Sequence, residues 1–414
     1  MKACQHGSHR VLMVLTRDIP EFPKNGRERT MCFILDTLQK YGVVERFRLH
    51  SFLERRSLWR ILALIGKWFL GLVRGEPIPF QVLLFYSPHY LRLLEKTIER
   101  YRPDAVYFDG VRAGPYAVAL RHRGINLNFI CDFDDLMSRR MLLLAEGRQP
   151  ISMGYLKELV PRWVQRHVLG GRGARVIQAY EYRALRRIEN RIALACNGVV
   201  LVSRIDAEHM LQQGHRITVE IIPPFMEARQ PMHELKEIRR FVFVGSDNQR
   251  QNFLTIKHLM EMWSRMHPVT ELHIYGKQSF DYASTHGVVF HGFVSDIADA
   301  YAPGSVMLAP SFLDGGVKTK VLEAFSYGVP VVGTEITFAG ISADCRALTV
   351  TQEQLENLVL NPEKWVELID SASASVMSEI KNNHSSDKLR MRWLQLVFPD
   401  ALDGEASEEV FRLS

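Results

Sequence analysis

The stretch GGVKTKVLEAFSYGVPVV, residues 315–332, predicts a loop, a helix, a glycine stop and a strand in direct succession. Gly328, Val329 and Pro330 end the helix, because glycine adopts the left-handed conformation that follows a helix and proline cannot continue one. Val331 and Val332 then begin a buried strand. A loop, helix and strand in this order are typical of an α/β fold.

The same stretch carries groups that suit one class of ligand. Gly315 and Gly316 allow a ligand close to the backbone and leave amides free at the helix start, where Lys318 and Lys320 add positive charge. Glu323, one turn further on, can accept two vicinal hydroxyls. This pattern predicts a site for a nucleotide diphosphate that carries a sugar. The alternative is an ordinary structural unit, with the lysines in water and Glu323 stabilising the helix dipole.

Strand and helix patterns alternate along most of the chain, which predicts two Rossmann-like domains. A first strand and its loop lead into a helix near the N-terminus, as in a doubly wound fold. The segment 221–225 is the expected hinge. The predicted divisions are an N-terminal domain over residues 1–224, a nucleotide-sugar domain over 225–375 and C-terminal helices over 376–414.

Charge is distributed unevenly over the 414 residues. Residues 1–220 carry a net charge of +14 and residues 221–414 a net charge of −8. A basic half favours phosphate-rich partners, such as an anionic membrane or a lipid diphosphate. Nucleic acid is not expected as a partner, because no zinc-finger or aromatic-basic RNA-binding motif is present. The five scattered cysteines and the absence of a signal-peptide pattern predict free thiols and a cytoplasmic location.

The segment Phe52 to Gly75 combines basic and aromatic residues with a leucine- and isoleucine-rich pattern. Its longest apolar run is too short to span a bilayer. The pattern is typical of a helix that lies in the membrane interface, and we expect peripheral contact with the inner face of the membrane. The alternative is a helix packed on the sheet with Arg55, Arg56 and Arg60 in water.

The stretch 315–332 resembles the "GG.K.K.LEA...G.PVV.T" form of the retaining GT-B glycosyltransferases of family 4. The resemblance implies a GT-B fold, in which two Rossmann-like doubly wound domains face a cleft. It implies transfer of a sugar, most often UDP-linked, to a glycan or lipid-linked acceptor in surface polysaccharide synthesis. Lys318 and Lys320 are then the catalytic cations, and the amides of Gly315, Gly316 and Val317 and the carboxylate of Glu323 contact the donor. The family is generally metal-independent, so neither a metal nor another cofactor is expected.

Further donor contacts are expected elsewhere in the second domain. Gly245 and Ser246 end its first strand, at a place where many relatives of this family carry an arginine. Arg250 supplies the missing charge, or else it belongs to a simple turn. Gly292 and Phe293 resemble the base-binding turn, in which glycine allows backbone bonds to a base and the aromatic ring packs on its face.

Two first-domain segments are candidates for the acceptor side. Gly26 and Arg29 match the "G...R" loop of the resemblance, in which glycine lets the loop approach a ligand and arginine clamps phosphate. Asp132 and Asp135 follow a buried strand, where open α/β sheets bind ligands. They are expected to bind acceptor hydroxyls or act as a base, while Asp134 is expected to point away from them. A helix cap by Asp135 is the alternative.

Two rival functions remain open from the sequence. One is a UDP-sugar epimerase with the same fold, and the other is a catalytically silent partner subunit that keeps the fold. An epimerase needs no acceptor, and a silent subunit turns over nothing. The donor sugar, the acceptor and the linkage are not encoded in any motif of the chain.

Overall fold

The computed structural model describes residues 9–23, 26–52, 58–146, 171–212, 217–227, 229–230, 234–312, 316–341 and 348–399. The chain forms two compact units. Unit 1 comprises Met1–Ile222 together with Arg390–Ser414, and unit 2 comprises Pro223–Leu389. The predicted α/β fold class is confirmed, because each unit is built on a parallel sheet flanked by helices.

Unit 1 contains a six-stranded sheet with the strand order β2-β1-β3-β4-β5-β6, in which every pairing is parallel. The central strands β3 and β4 are buried along nearly their whole length, as expected for a sheet covered on both faces. The strands are β1 (His9–Leu15), β2 (Gly42–Arg48), β3 (Ala105–Asp109), β4 (Asn128–Asp134), β5 (Gly198–Leu201) and β6 (Val219–Ile221).

The helices of unit 1 connect these strands and cover the sheet. They are α1 (Gly26–Gln39), α2 (Leu58–Val73), α3 (Phe80–Leu83), α4 (Pro88–Tyr101), α5 (Gly110–His122), α6 (Met137–Glu146), α7 (Gly171–Ala195) and α8 (Arg204–Leu211). The start of α4 shows why a helix begins where it does. The Ser87 hydroxyl accepts a bond from the His89 amide, and Pro88 fits the first helical position.

Unit 2 contains a five-stranded parallel sheet with the order β11-β10-β7-β8-β9. The strands are β7 (Arg240–Val244), β8 (Leu272–Tyr275), β9 (Val288–Gly292), β10 (Ser305–Ala309) and β11 (Val331–Gly333). The helices are α9 (Arg250–Met266), α10 (Thr319–Ser326), α11 (Glu335–Phe338), α12 (Gln352–Leu360) and α13 (Val366–His384), with 3-10 turns at Ile297–Tyr301 and Pro362–Trp365.

A last helix, α14 (Ser386–Val397), follows α13. From Arg390 onward it belongs to unit 1, where the Asn128 side-chain amide donates to the carbonyls of Leu396 and Val397. The predicted domain division remains a prediction. Its boundary at residue 376 falls inside α13, and the two units meet along the chain at Ile222, close to the predicted hinge.

Two strands were not predicted from the sequence. β2 carries three charged side chains, and none of its residues is fully buried. β6 has three half-buried residues. Both lie at the edges of the sheet, so one side of each is open to solvent and their sequences lack a long apolar run.

Candidate functional site

Three glycines lie side by side at the carboxyl-terminal edge of the unit 2 sheet. The amide of Gly245, after β7, donates to Tyr275, and the amide of Gly276, after β8, donates to Gly292 at the end of β9. A methyl group on Gly276 would lie 2.6 Å from the carbonyl oxygen of Gly245, so no other residue fits there. The glycines keep this edge of the sheet open to a ligand, as is usual at the ends of parallel strands.

The helix predicted in the stretch 315–332 is confirmed as α10. Gly316 has a left-handed backbone with φ of 59°, and Lys318 occupies the position that caps the helix. The helix ends as predicted, because Gly328 is left-handed with φ of 72° and β11 begins at Val331. Gly315, the first glycine of the stretch, lies outside the described residues.

The side chains around the start of α10 lie at different depths. Lys318 is only 7% exposed, and Val317 packs against the unit 2 core. Glu323 is half-buried one turn further along the helix. The donor-binding roles of these residues remain predictions.

Lys320 points into unit 2. Its Nζ donates to Oδ1 of Asn252 on α9 at 2.9 Å and lies 4.3 Å from the centre of the Phe243 ring on β7. Burial, followed by repulsion from Lys318, lowers the pKa of Lys320 to about 7. A lysine in this state is neutral or charged depending on its surroundings near neutral pH. An arriving anion would favour the charged form.

The other predicted donor contacts line the same edge of the unit 2 sheet. The Ser246 hydroxyl donates to the carbonyl of Lys277 at 2.9 Å, so it holds the loop after β8. Arg250 begins α9, and its guanidinium lies 5.6 Å from the Phe253 ring. Gly292 is left-handed with φ of 70°, and the Phe293 side chain is 83% exposed. An exposed aromatic ring after a glycine turn is a surface on which a base can stack.

Unit 1 has a buried charged cluster at the carboxyl-terminal edge of its own sheet. Arg27 of α1 bonds Asp109 at 2.8 Å and Asp132 at 2.9 Å, and lies 3.6 Å from Asp134. The Tyr107 hydroxyl donates to Asp132 at 2.6 Å. The carboxylates come from the ends of β3 and β4, which are neighbouring strands. Neither Asp109 nor Tyr107 was predicted from the sequence, although Asp109 follows a run of buried apolar residues just as Asp132 does.

The cluster fixes the charge of its members. Burial alone would lower the pKa of Arg27, but Asp132, Tyr107, Asp134 and Asp109 together raise it well above its usual value. Burial alone would raise the pKa of Asp109. The positive charges of Arg27 and Arg17, together with the hydrogen bonds that Asp109 accepts, outweigh burial and lower that pKa. Arg27 therefore stays charged at every pH at which the protein is folded.

Asp134 differs from the aspartates around it. The pairing of β4 with β5 shifts between Asp132 and Asp134, and Asp134 is left-handed with φ of 64°. This irregularity leaves the Asp134 side chain 38% exposed while that of Asp132 is 1% exposed. Burial of its inner side, opposed by Arg27 and aided by Asp135 and Asp132, raises the pKa of Asp134 to about 6. Regular alternation along the strand predicted that Asp134 points away from Asp132 and Asp135. Because the register shifts, Asp134 instead lies 3.6 Å from Arg27, in the same cluster as Asp132.

The other first-domain candidates are placed differently from the expectation. Gly26 is the first residue of α1 rather than part of a loop, because the bonds of Arg27 to Asp109 and Asp132 hold this first turn against the strand ends. Arg29 is exposed on the same helix. Asp135 is 8% exposed and pairs with Arg140, so its carboxylate is held by α6.

Helix α2, in the segment predicted to contact a membrane, has an apolar exposed face. Leu62, Ile65, Phe69 and Val73 are each at least half exposed and recur at helical spacing. The helix is held by Trp68, whose ring packs on Tyr180 and whose Nε1 donates to Glu181. Nowhere in the described part of the chain does a helix have the length and apolar composition needed to cross a bilayer. Arg55 and Arg56 lie outside the described residues.

Cys32, Cys131 and Cys196 are free thiols, as predicted, and Cys4 and Cys345 lie outside the described residues. In the described ranges, no group of three or more His, Cys, Asp or Glu side chains is arranged to hold a metal ion.

Part of unit 2 is similar in sequence to a known protein family. Residues 238–371 match the family model of the glycosyl transferases group 1. The match lies within unit 2 and includes Gly245, Gly292 and the whole of α10. No curated protein matches the chain by sequence.

Solved structures resemble the whole chain at low sequence identity. The sucrose-phosphate synthase of Thermosynechococcus elongatus has a TM-score of 0.59 at 12% identity, with 94% of this chain and 98% of that chain covered. HepE of Anabaena in complex with UDP has a TM-score of 0.57 at 13% identity, covering 93% and 98%. The fold is GT-B. TarM has a TM-score of 0.51 at 13% identity over 75% of this chain, which spans only 58% of the TarM chain.

Proposed function

We propose that this protein is a glycosyltransferase that moves a sugar from a nucleotide-diphosphate sugar, UDP-linked, to a glycan or lipid-linked acceptor with retention of configuration. The observation that carries the proposal is the match of residues 238–371 to the glycosyl transferases group 1. That region contains the cations and the carboxylate that the sequence singled out. HepE, which shares the fold, binds UDP, and this supports a UDP-linked donor.

The start of α10 suits the leaving diphosphate. When the bond between the sugar C1 and the diphosphate breaks, the diphosphate oxygen takes the electron pair and negative charge develops there. Lys318, which caps this helix, and the amides of Gly316 and Val317 would stabilise that charge, and removal of one such donor typically costs about 3–4 kcal/mol of barrier. Glu323, one helical turn away, suits the two hydroxyls of the ribose.

The acceptor is assigned to unit 1. Its hydroxyl oxygen forms the new bond to C1 and loses its proton. Asp132 and Asp135 were the predicted contacts, but Arg27 and Arg140 hold their carboxylates. Asp134 is the most exposed of the three carboxylates. Its pKa of about 6 would allow it to accept the proton of an acceptor hydroxyl near neutral pH.

A lipid-linked acceptor would bring the enzyme to a membrane surface, and α2 suits that contact on its cytoplasmic side. Leu62, Ile65 and Phe69 would enter the interface, while exposed Lys67 on the same helix and exposed Arg74 just after its end would meet anionic headgroups. Each basic residue near an anionic surface contributes on the order of 1 kcal/mol. The +14 charge of residues 1–220 acts in the same direction.

Vesicle binding tests this membrane contact. The protein should sediment with vesicles rich in anionic lipid, release as salt rises, and ignore neutral vesicles. Replacing Ile65 and Phe69 with Gln, or Arg55, Arg56 and Arg60 with Glu, should abolish sedimentation and leave UDP binding intact. Val269→Gln, at a fully exposed apolar position of unit 2, serves as the matched control and should bind as the wild type does. Equal sedimentation with neutral vesicles would contradict the electrostatic part of the proposal.

Donor screening followed by a turnover assay tests the transferase proposal. A nucleotide present at 100 times its dissociation constant stabilises the folded protein by about 2.7 kcal/mol, which a thermal shift resolves. UDP and UDP-sugars should raise the melting temperature more than the other nucleotides. Turnover of the selected donor should then require an acceptor. Conversion of the donor sugar without any acceptor would indicate an epimerase, and binding without turnover on a broad acceptor panel would indicate a silent subunit.

A further inference from the structure

Asn252 forms hydrogen bonds with both ends of its side-chain amide. Its Nδ2 donates to the carbonyl of Ser246 at 2.9 Å, and its Oδ1 accepts from Nζ of Lys320 at 2.9 Å. The residue is 7% exposed and lies in the first turns of α9. A buried amide that bridges the loop after β7 to the cation of α10 fixes where that cation lies.

The fit of Asn252 depends on Gly245. A methyl group at Gly245 would lie 2.7 Å from Nδ2 of Asn252, which is closer than a real side chain allows. The glycine that opens the sheet edge therefore also makes room for the amide. The three residues Gly245, Asn252 and Lys320 form one packed unit at the carboxyl-terminal end of β7.

The groups that face the Lys320 amine are mostly uncharged. From β7 it meets the Phe243 ring, and from α9 it meets the neutral Asn252 amide. On α10 itself, Lys318 repels it and Glu323 lies one turn further on. Arg250, at the start of α9, lies against Phe253. Burial of this amine, together with the repulsion from Lys318, makes it release its proton more easily than an exposed lysine does.

We propose that Asn252 is a positioning residue that holds the buried Lys320 amine at this edge of the sheet, and that binding of a nucleoside diphosphate there takes up one proton at Nζ of Lys320. This inference rests on the proposed nucleotide site and specifies how that site works. The proton comes from the solvent, the amine becomes an ammonium, and no covalent bond changes. The anionic diphosphate brings an opposite charge to Lys320, where the described neighbours are a ring, a neutral amide and another lysine.

The pH dependence of binding follows from the sign of this shift. The pKa of Lys320 in the free protein is about 7, below the 10.5 of an ordinary lysine. A bound diphosphate raises that pKa again. Below about pH 7 the lysine is already charged, so Lys320 adds no pH dependence to binding there. Above about pH 7 the dissociation constant of UDP should rise, approaching tenfold per pH unit.

Calorimetric titration of UDP at pH 8 in buffers of different ionisation enthalpy counts the protons taken up. UDP itself is almost fully ionised at that pH, since a terminal phosphate has a pKa of about 6. The wild type should take up about 0.9 proton per UDP, because about nine-tenths of an amine with a pKa of about 7 is neutral at pH 8. At pH 6 the contribution of Lys320 should fall to about 0.1 proton.

Two variants assign the proton to this pair. Asn252→Asp places a carboxylate against Lys320, which keeps the lysine charged, so the uptake at pH 8 should fall close to zero. Lys320→Arg keeps a cation that does not titrate, and it should also take up close to no proton at pH 8. Lys257→Arg, at an exposed lysine on the same helix, is the matched control and should still take up about 0.9 proton.

The proton count separates positioning from mere packing. If Asn252 only supports the fold, Asn252→Asp lowers the melting temperature and leaves the uptake at about 0.9, which would overturn its assigned role. Lys320→Arg retains the test should Asn252→Asp not fold. Uptake near zero in a wild type that binds UDP would overturn the inference and leave the proposed function standing. Absence of UDP binding at any pH from 6 to 9 would overturn both.

Discussion

Replacement of Arg27 by Met should destabilise unit 1 strongly. Arg27 is the cation that faces Asp109, Asp132 and Asp134, and its side chain is only 11% exposed. Methionine has a similar unbranched stem and carries no charge, so the change removes the guanidinium with little loss of volume. Two carboxylates that are 3% and 1% exposed then lose the bonds that Arg27 donates.

The magnitude follows from burial of the partners. Removal of one member of a buried ion pair typically costs 3–5 kcal/mol, because the remaining charge is left without compensation. That is a large part of the roughly 5–15 kcal/mol that stabilises a native domain. For a unit of this size each kcal/mol lowers the melting temperature by about 2–4 °C, so a loss of about 6–20 °C is expected.

The loss should depend on pH with a definite sign. In the wild type, Arg27 helps to hold the pKa of Asp109 below its usual value, so the stabilisation is present above about pH 4 and disappears only as pH falls through the lowered pKa. In the variant, burial raises the pKa of the carboxylates and they protonate more readily. The difference between the two proteins should therefore be largest near pH 8 and shrink towards pH 5.

Calorimetric melting at pH 8 and pH 5 measures the loss of stability and its dependence on pH. Hydrogen exchange shows whether the amides that lose protection lie in unit 1. Arg29→Met, at an exposed position two residues along the same helix, is the matched control and should stay within about 0.5 kcal/mol of the wild type. The double variant with Asp132→Asn should recover part of the loss. Melting of Arg27→Met within about 2 °C of the wild type at pH 8, or an equal loss at both pH values, would refute the reasoning.

Further predictions concern unit 2. Lys318→Ala or Lys320→Ala should each cut turnover at least about tenfold, a loss of roughly 1.4 kcal/mol, and near-normal kinetics in both would remove the diphosphate assignment. Glu323→Gln should weaken UDP more than a free sugar in calorimetric titration, and unchanged UDP affinity would favour a helix-dipole role. The free energy of unfolding of the wild type should rise from pH 7 to pH 9 relative to Lys320→Met, because the unfolded chain binds more protons in that window; parallel curves would contradict the lowered pKa.

The fold was predictable because its signals are local. Apolar runs at Ala105 to Phe108 and Phe241 to Val244 specify buried strands by composition alone, and Gly328 with Pro330 ends α10 where expected. β2 was missed because Glu45, Arg46 and Arg48 interrupt the apolar pattern of an edge strand. Its place in the sheet comes from pairing with β1, which no local pattern encodes.

The candidate site was predictable only where a motif marks it. Lys318, Lys320 and Glu323 were found by their spacing, but the direction of Lys320 was not, because it depends on Asn252 and Phe243 from two other elements. Nothing in the sequence near Asn252 indicates that its amide bridges a loop and a lysine. Such roles arise from packing between segments far apart in the chain.

The two buried cations show how the surroundings determine what a charge can do. Arg27 faces carboxylates, which outweigh the effect of burial, so its charge is permanent and its role in unit 1 is to hold strand ends together. Lys320 meets a ring and a neutral amide, and burial together with repulsion from Lys318 lowers its pKa to about 7, so its charge depends on pH. A cation that is already neutralised gains little from a phosphate, whereas one without a facing carboxylate gains a great deal. By this argument the ligand-responsive cation is Lys320, and Arg27→Met should change stability where Lys320→Arg changes the proton count.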